Sequence, residues 1–270
     1  MKYGIISDIH ANLEALSKVI DHCKANGVEK YICLGDIVGY NANPKECLQL
    51  IRSLDILGCV KGNHDEYVSN NDEEMLGFNQ HAKQAVLWTK AQLNDEERDW
   101  LSKLPMKQTV RGTNITIVHA TLDSPASWGY IFDVHHAMDN FSYQFTPICF
   151  CGHSHVPIAF CKKSFTGSNS LLVEEMQEWK AEVTDPAAAA AAQPESDPVI
   201  NIQKGWKYLI NIGSVGQPRN RDPRASFAIY DTEANTITRI RLPYDIATAQ
   251  RKIKEAGLPE RLALRLERGN

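Results

Sequence analysis

Five times along this chain a short apolar run breaks off into a cluster of aspartate, asparagine or histidine, and that recurrence restricts the fold more than any other feature. Residues 2–7 end at Asp8-Ile9-His10, residues 31–34 at Gly35-Asp36, and residues 58–60 lead into Gly62-Asn63-His64-Asp65. Further on, residues 115–118 end at His119 and residues 148–151 at Gly152-His153-Ser154-His155. Apolar runs of this length, bounded by glycine and polar residues, predict buried strands. Helical patterns lie between the first three. Leu13, Leu16, Val19 and Ile20 recur at helical spacing up to Gly27, and Pro44 opens a segment carrying Cys47, Leu48, Leu50 and Ile51. Strand, polar loop, helix, strand is the pattern of an α/β sheet, whose ligand sites form at the carboxyl ends of the strands. The polar clusters are therefore expected to meet.

The remainder fills in one domain, residues 1–270. Residues 72–104 read as helical, with Asn94 and Glu97 spaced as a capping box. After Pro105 strands dominate: residues 208–212 lead to Gly213-Ser214, and residues 227–230 and 236–241 form a hairpin around Asn235. A last helix is expected over residues 246–266. Between about 163 and 205 the composition becomes Ala- and Pro-rich, with alanine at 187–192, which predicts an insertion in a surface loop. The length of 270 residues suits a single core. The net charge of −4 argues against a general nucleic-acid binder, which would carry a basic excess. It leaves a phosphorylated small molecule open as the partner, because bound metals add positive charge that a residue count omits. No apolar run approaches the roughly 20 residues of a membrane span, and the seven cysteines form no C-x-x-C pair. A reducing, cytoplasmic setting is expected. The oligomeric state is left open.

Oxygen donors mixed with imidazoles suit borderline divalent ions such as Mn, Fe, Zn, Co or Ni. Asp8, His10, Asp36, Asn63, His119, His153 and His155 are the candidate ligands. Seven are too many for one ion with open positions, but they suit two ions if a carboxylate bridges, and Asp36 is the candidate bridge. Gly-Asn-His-Asp is the most specific single motif, arising by chance in roughly one chain in a thousand of this length. Arg219, Arg221 and Arg224 follow a glycine-containing turn, where a guanidinium could contact phosphate or buttress the histidine loops. Tyr40, Trp128 and Tyr130 could stack on a substrate or simply pack.

With these motifs in order, the sequence resembles the calcineurin-like metallophosphoesterase superfamily, in particular its small stand-alone prokaryotic branch. The resemblance rests on residues 8–12, 35–40, 62–65, 119–123, 152–155 and 213–219. It implies a four-layer α/β/β/α sandwich. One metal would be held by Asp8, His10, Asp36 and His155, the other by Asp36, Asn63, His119 and His153. It also implies hydrolysis of phosphomonoesters or phosphodiesters by a hydroxide bridging the two metals, with His64, oriented by Asp65, acting on the leaving oxygen. Arg219, Tyr40 and Tyr130 are the expected substrate contacts. Protein-phosphatase relatives carry an Asp-Arg pair where this chain has Gly39-Tyr40, so a phosphate-gripping guanidinium is missing there, against a protein-phosphatase role. Asn41-Ala42-Asn43-Pro44 replaces the usual Gly-Pro-x-Pro, which points to an altered substrate wall. Alternatives are a nuclease or dinucleoside-polyphosphate hydrolase, and a non-catalytic scaffold. Such scaffolds lose the histidine that is present here as His64.

Overall fold

Strand β1 (Lys2–Ile6) sets the layering, because its alternating side chains feed two different cores. Ile5 points between two sheets, where it meets Ile32, Ile117, Phe150 and Ile210. Ile6 points the other way, into a core shared with Leu16, Val19, Leu48 and Phe227. A third core, built on Val118, Phe141, Cys149 and Phe160, lies on the far side of the second sheet. Three cores separate four layers, so the computed structural model is the α/β/β/α sandwich expected from the sequence. It describes residues 1–70, 75, 78–163, 173–176, 188–189 and 193–270.

The first sheet runs β10 (Ile200–Asn201), β13 (Thr236–Leu242), β12 (Ala225–Asp231), β1, β2 (Val28–Cys33), β3 (Ile56–Cys59), with β9 (Glu195–Ser196) also on β13. The second runs β4 (Lys107–Thr109), β5 (Ile115–Val118), β6 (Ile148–Cys151), β11 (Trp206–Asn211), β7 (Ile158–Lys163), β8 (Val173–Met176). At the heart of each sheet three strands are parallel: β1, β2 and β3 in one, β5, β6 and β11 in the other. The polar motifs follow the carboxyl ends of these strands. Helices α1 (Leu13–Ala25), α2 (Pro44–Ser53), α3 (Asn63–Ser69), α4 (Gln80–Gln92) and α5 (Asp95–Ser102) bury apolar side chains against the first sheet, and α6 (Val134–Tyr143) covers the second.

Local chemistry explains most boundaries. The Asn12 side chain accepts the Ala15 N–H to start α1, and Gly27 takes φ 74° to end the turn after it. The Asn94–Glu97 capping box forms with both hydrogen bonds at 2.9 Å. The single helix expected over 246–266 is two, α7 (Ile246–Glu255) and α8 (Glu260–Arg268). Gly257 at φ 69° terminates the first and Pro259 starts the second.

Most of the expected 163–205 insertion lies outside the described residues. Three short strands within it belong to the sheets: β8 pairs with β7, and β9 and β10 pair with β13. Asp197, also in this stretch, is buried against Arg239 and Arg241, with Arg241 donating to it at 2.9 Å. Arg224 belongs to the same cluster, its guanidinium bonded to Asp222 and Glu195. Removing one partner of a buried pair strands the other's charge. Asp197→Ala is expected to lower the unfolding free energy by roughly 3–5 kcal/mol in urea denaturation. A loss under about 1 kcal/mol, the range of a surface pair, would show that the cluster contributes little.

Candidate metal centre

The polar strand ends of both sheets converge. Asp8 and His10 follow β1, Asp36 follows β2 and Asn63 opens α3. His119 follows β5, and His153 and His155 follow β6. All seven are buried. Backbone bonds fix the loops to each other: His10 N–H donates to Asp36 O at 2.9 Å, Gly152 N–H to His119 O at 2.8 Å and Val215 N–H to Ser7 O at 3.0 Å. Across the sheets, His153 N–H donates to the Asp8 carboxylate at 3.2 Å.

Two donor groups result, and they share Asp36. Asp8, His10, Asp36 and His155 each bring a ligand atom within 4.8 Å of the others, and so do Asp36, His119 and His153. His10 Nε2 lies 3.5 Å and His119 Nε2 3.3 Å from the same atom, Asp36 Oδ2. His155 Nε2 is 3.2 Å from Asp8 Oδ1. Beside the second group the Asn63 Oδ1 is buried with no hydrogen-bond partner, and neither does His119 Nε2 have one in spite of its proximity to Asp36.

The tautomers follow from what the opposite ring nitrogens touch. The Nδ1 atoms of His10, His119 and His155 face the carbonyls of Val38, Leu34 and Gln217 at 3.2, 2.7 and 2.6 Å. A carbonyl only accepts, so each Nδ1 carries a proton, and in the neutral rings of His10 and His155 the Nε2 presents a lone pair inward. His153 is reversed, its Nε2 donating to Trp128 O at 2.9 Å and leaving Nδ1 free to coordinate. His10 Nε2 and His155 Nε2 then stand 3.1 Å apart as two facing lone pairs. A cation held in the first group would meet the facing nitrogens of His10 and His155, and the buried, unpartnered Asn63 Oδ1 and His119 Nε2 are the atoms a cation in the second group would take up. The donor set fits divalent transition metals.

Electrostatics agree. Burial alone would raise both carboxyls, yet the His155 imidazole holds Asp8, and the His119 imidazole Asp36, well below the usual carboxylate range. Burial pulls His10 and His155 down and takes His153 to about 3. His119 alone is carried up, to about 10, because the charge of Asp36 outweighs the burial that opposes it.

The loops hold this geometry in unusual backbone. Asp8, His10, Asp36, Tyr40, His153 and His155 all have φ of 49–68°, a region that non-glycine residues occupy at a cost of roughly 1–3 kcal/mol each. Two glycines are obligatory. A Cβ on Gly62 would lie 2.1 Å from Asp36 Oδ1, and one on Gly39, at φ 92°, would lie 2.4 Å from His64 Nδ1.

Residues 1–175 match the calcineurin-like phosphoesterase superfamily domain. The chain belongs to that superfamily. It is 38% identical over 265 residues to an uncharacterised protein of Methanocaldococcus jannaschii, covering 97% of this chain and 96% of the other. Among solved structures it is similar to a metallophosphoesterase of Sphaerobacter thermophilus, at 36% identity and TM-score 0.78, covering 100% of this chain and 99% of that one. A hypothetical protein of Pyrococcus horikoshii shares the fold at 20% identity and TM-score 0.74, over 100% and 98% of the two chains. Membership in this phosphoesterase superfamily points to a hydrolase, and the Asp/His cluster gives it a candidate metal site.

Against this superfamily background, several expected roles change. Asp65 does not orient His64. Its carboxylate accepts the backbone N–H groups of Ile37, Val38 and Gly62 at 2.9–3.3 Å, clamping the Asp36 loop to the Asn63 loop. Asn41 does not form a substrate wall either, since its side chain turns inward to donate to His10 O at 2.7 Å. Arg219 reaches over Tyr40, donating to its hydroxyl at 3.3 Å, so a guanidinium from a different loop stands beside the Gly39-Tyr40 position. Tyr130 stacks with His153 and with Phe132, ring centroids 4.4 and 5.2 Å apart, and remains exposed. Sequence reading missed Ser214, which donates to Asp8 O at 2.8 Å, and Asn211, which donates to Gly152 O at 2.6 Å. No helix among the described residues is long and apolar enough to cross a membrane.

The Gly62 contact generates a test. A ligand at a hundred times its Kd adds about 2.7 kcal/mol of stability, so manganese is expected to raise the melting temperature of chelator-treated wild type by several degrees. Gly62→Ala, which displaces Asp36, should lose most of that rise. An equal rise in the variant would separate Asp36 from metal binding.

Proposed function

We propose that this chain is a dinuclear-metal phosphoesterase hydrolysing phosphomonoester or phosphodiester bonds of small molecules. The observation that supports it most is the double use of Asp36, whose Oδ2 faces His10 of one donor group and His119 of the other. Divalent ions at such a pair of sites polarise phosphoryl oxygens and acidify water.

The chain's own residues supply the rest. The Asp36 Oδ1 accepts the His64 N–H at 2.8 Å, which ties the His64 backbone directly to the shared carboxylate. The His64 ring is wedged between His10, Tyr40 and Phe78, with centroids 4.8, 4.3 and 5.0 Å away, so it has one orientation. Burial holds this imidazole down to about 4. At neutral pH it therefore meets the substrate as a neutral ring and stabilises the leaving oxygen by donating a hydrogen bond. Arg219, beside Tyr40, is a substrate contact in this reading, because its planar fork suits pairs of phosphate oxygens.

Metal-reconstituted protein should turn over phosphomonoesters or phosphodiesters in a screen. His64→Ala should cut kcat on an alkyl ester by roughly 10²–10³, the range for one lost hydrogen-bond donor to a developing oxyanion, and less on an activated aryl ester. Equal rates of wild type and variant on both would remove the leaving-group role. No turnover of any ester with Mn, Fe, Zn, Co or Ni would contradict the reading itself.

A further inference from the structure

Next to the candidate metal centre, and opening from it through Asn63 and His64, is a cavity of about 690 Å³. Arg219, Arg261, Arg265 and Arg268 also line it. Three of these come from α8, where spacings of four and three residues put them on a single face. The other face of that helix buries Leu262, Ala263 and Leu266 in the core, so the arginine face is fixed in position.

The arrangement is unfavourable on its own. Like charges three and four residues apart destabilise a helix, and no aspartate or glutamate side chain lines this cavity among the described residues. Nearby acids on the two C-terminal helices are engaged elsewhere, Glu260 with Lys254 and Glu267 with Gln250. Burial, and then the charges of Arg219 and Arg261, bring Arg265 down to about 10, and its Nε donates to a main-chain oxygen of Asn270. Arg219 keeps its Nε buried without a partner. Four guanidiniums around one cavity, in a chain whose net charge is −4, leave strong positive charge where a substrate's distal end would lie.

We propose that this arginine wall is a subsite for a second phosphoryl group, so that the preferred substrate is a small molecule carrying two phosphoryl groups, one at the metal centre and one at the wall. This rests on the phosphoesterase reading and narrows its substrate class. Guanidiniums suit the task because their planar forks bind phosphate oxygens in pairs. The second group is either the next unit of a polyphosphate chain or a separate phosphate ester on the same molecule, and both present negatively charged, non-bridging phosphoryl oxygens to the wall.

Calorimetry on chelator-treated, full-length protein tests the wall without turnover. Inorganic tripolyphosphate probes the chain and 1,4-butanediol bisphosphate the separated ester. Arg261 and Arg268 are exposed, so Arg261→Gln/Arg268→Gln should leave the melting temperature near that of wild type. Wild type is expected to bind at least one probe, and the double glutamine variant to bind it roughly tenfold or more weakly, as for loss of charge-assisted hydrogen bonds. Arg261→Lys/Arg268→Lys should fall between them. In the metal-loaded enzyme, the ratio of kcat/KM for a bisphosphorylated over a monophosphorylated substrate should drop by a similar factor. Equal binding by wild type and the glutamine variant, or no binding by wild type, overturns the subsite. Wall-dependent binding in a protein that hydrolyses no ester supports the subsite while the phosphoesterase reading fails.

Discussion

The structure turns on placing two carboxylates, Asp8 and Asp36, out of water at the meeting of two sheets. Charges so buried demand compensation. The chain supplies it in part through backbone and hydroxyl donors: Ser7 Oγ–H and His153 N–H on Asp8, and His64 N–H on Asp36. Both carboxylates also face imidazole nitrogens. His10, His119 and His155 direct their Nδ1 protons at backbone carbonyls, which leaves each Nε2 aimed inward, with lone pairs on the neutral rings of His10 and His155. Carboxylates and lone pairs aimed at one small volume describe a place built for cations, and the loops, glycines and strained backbone around it follow from that requirement.

The sandwich gives the site its precision by dividing it between two sheets. Each contributes three parallel strands, and the loops at their ends are bonded across the seam, Val215 to Ser7 and His153 to Asp8. Neither sheet alone could close either donor group, since Asp8 and His10 come from one and His155 from the other. Asp65, with three backbone N–H groups on its carboxylate, locks the second and third loops of the first sheet together. Local strain in six left-handed residues persists because these cross-bonds over-determine the loops.

The strands and the polar clusters at their ends were legible in the sequence because each depends on a local pattern, while the four layers followed from the resemblance those clusters carry. Alternation within strands such as residues 148–151 places Phe150 in one core and Cys149 in another. A histidine at a strand end has few places to go. The rest depended on tertiary partners that local pattern does not encode. Asp65 reads as a catalytic neighbour of His64, yet a carboxylate at the third position of a helix finds backbone donors first. Arg224 sits two residues after Asp222 and bonds to it. The last helix breaks at Gly257-Leu258-Pro259, and only that break defines the short helix α8 that carries the arginines. Net charge likewise hid them, because a chain-wide sum cannot report four guanidiniums facing one cavity.

The central claim is that Asp36 is shared by two cations. Anomalous diffraction from crystals grown with manganese, recorded at the metal edge, locates each ion directly. The account expects two peaks, one within coordination distance of Asp8, His10 and His155 and one of Asn63, His119 and His153, with the Asp36 carboxylate between them. A single peak, or none with Asp36 bonded only to imidazoles, would contradict it.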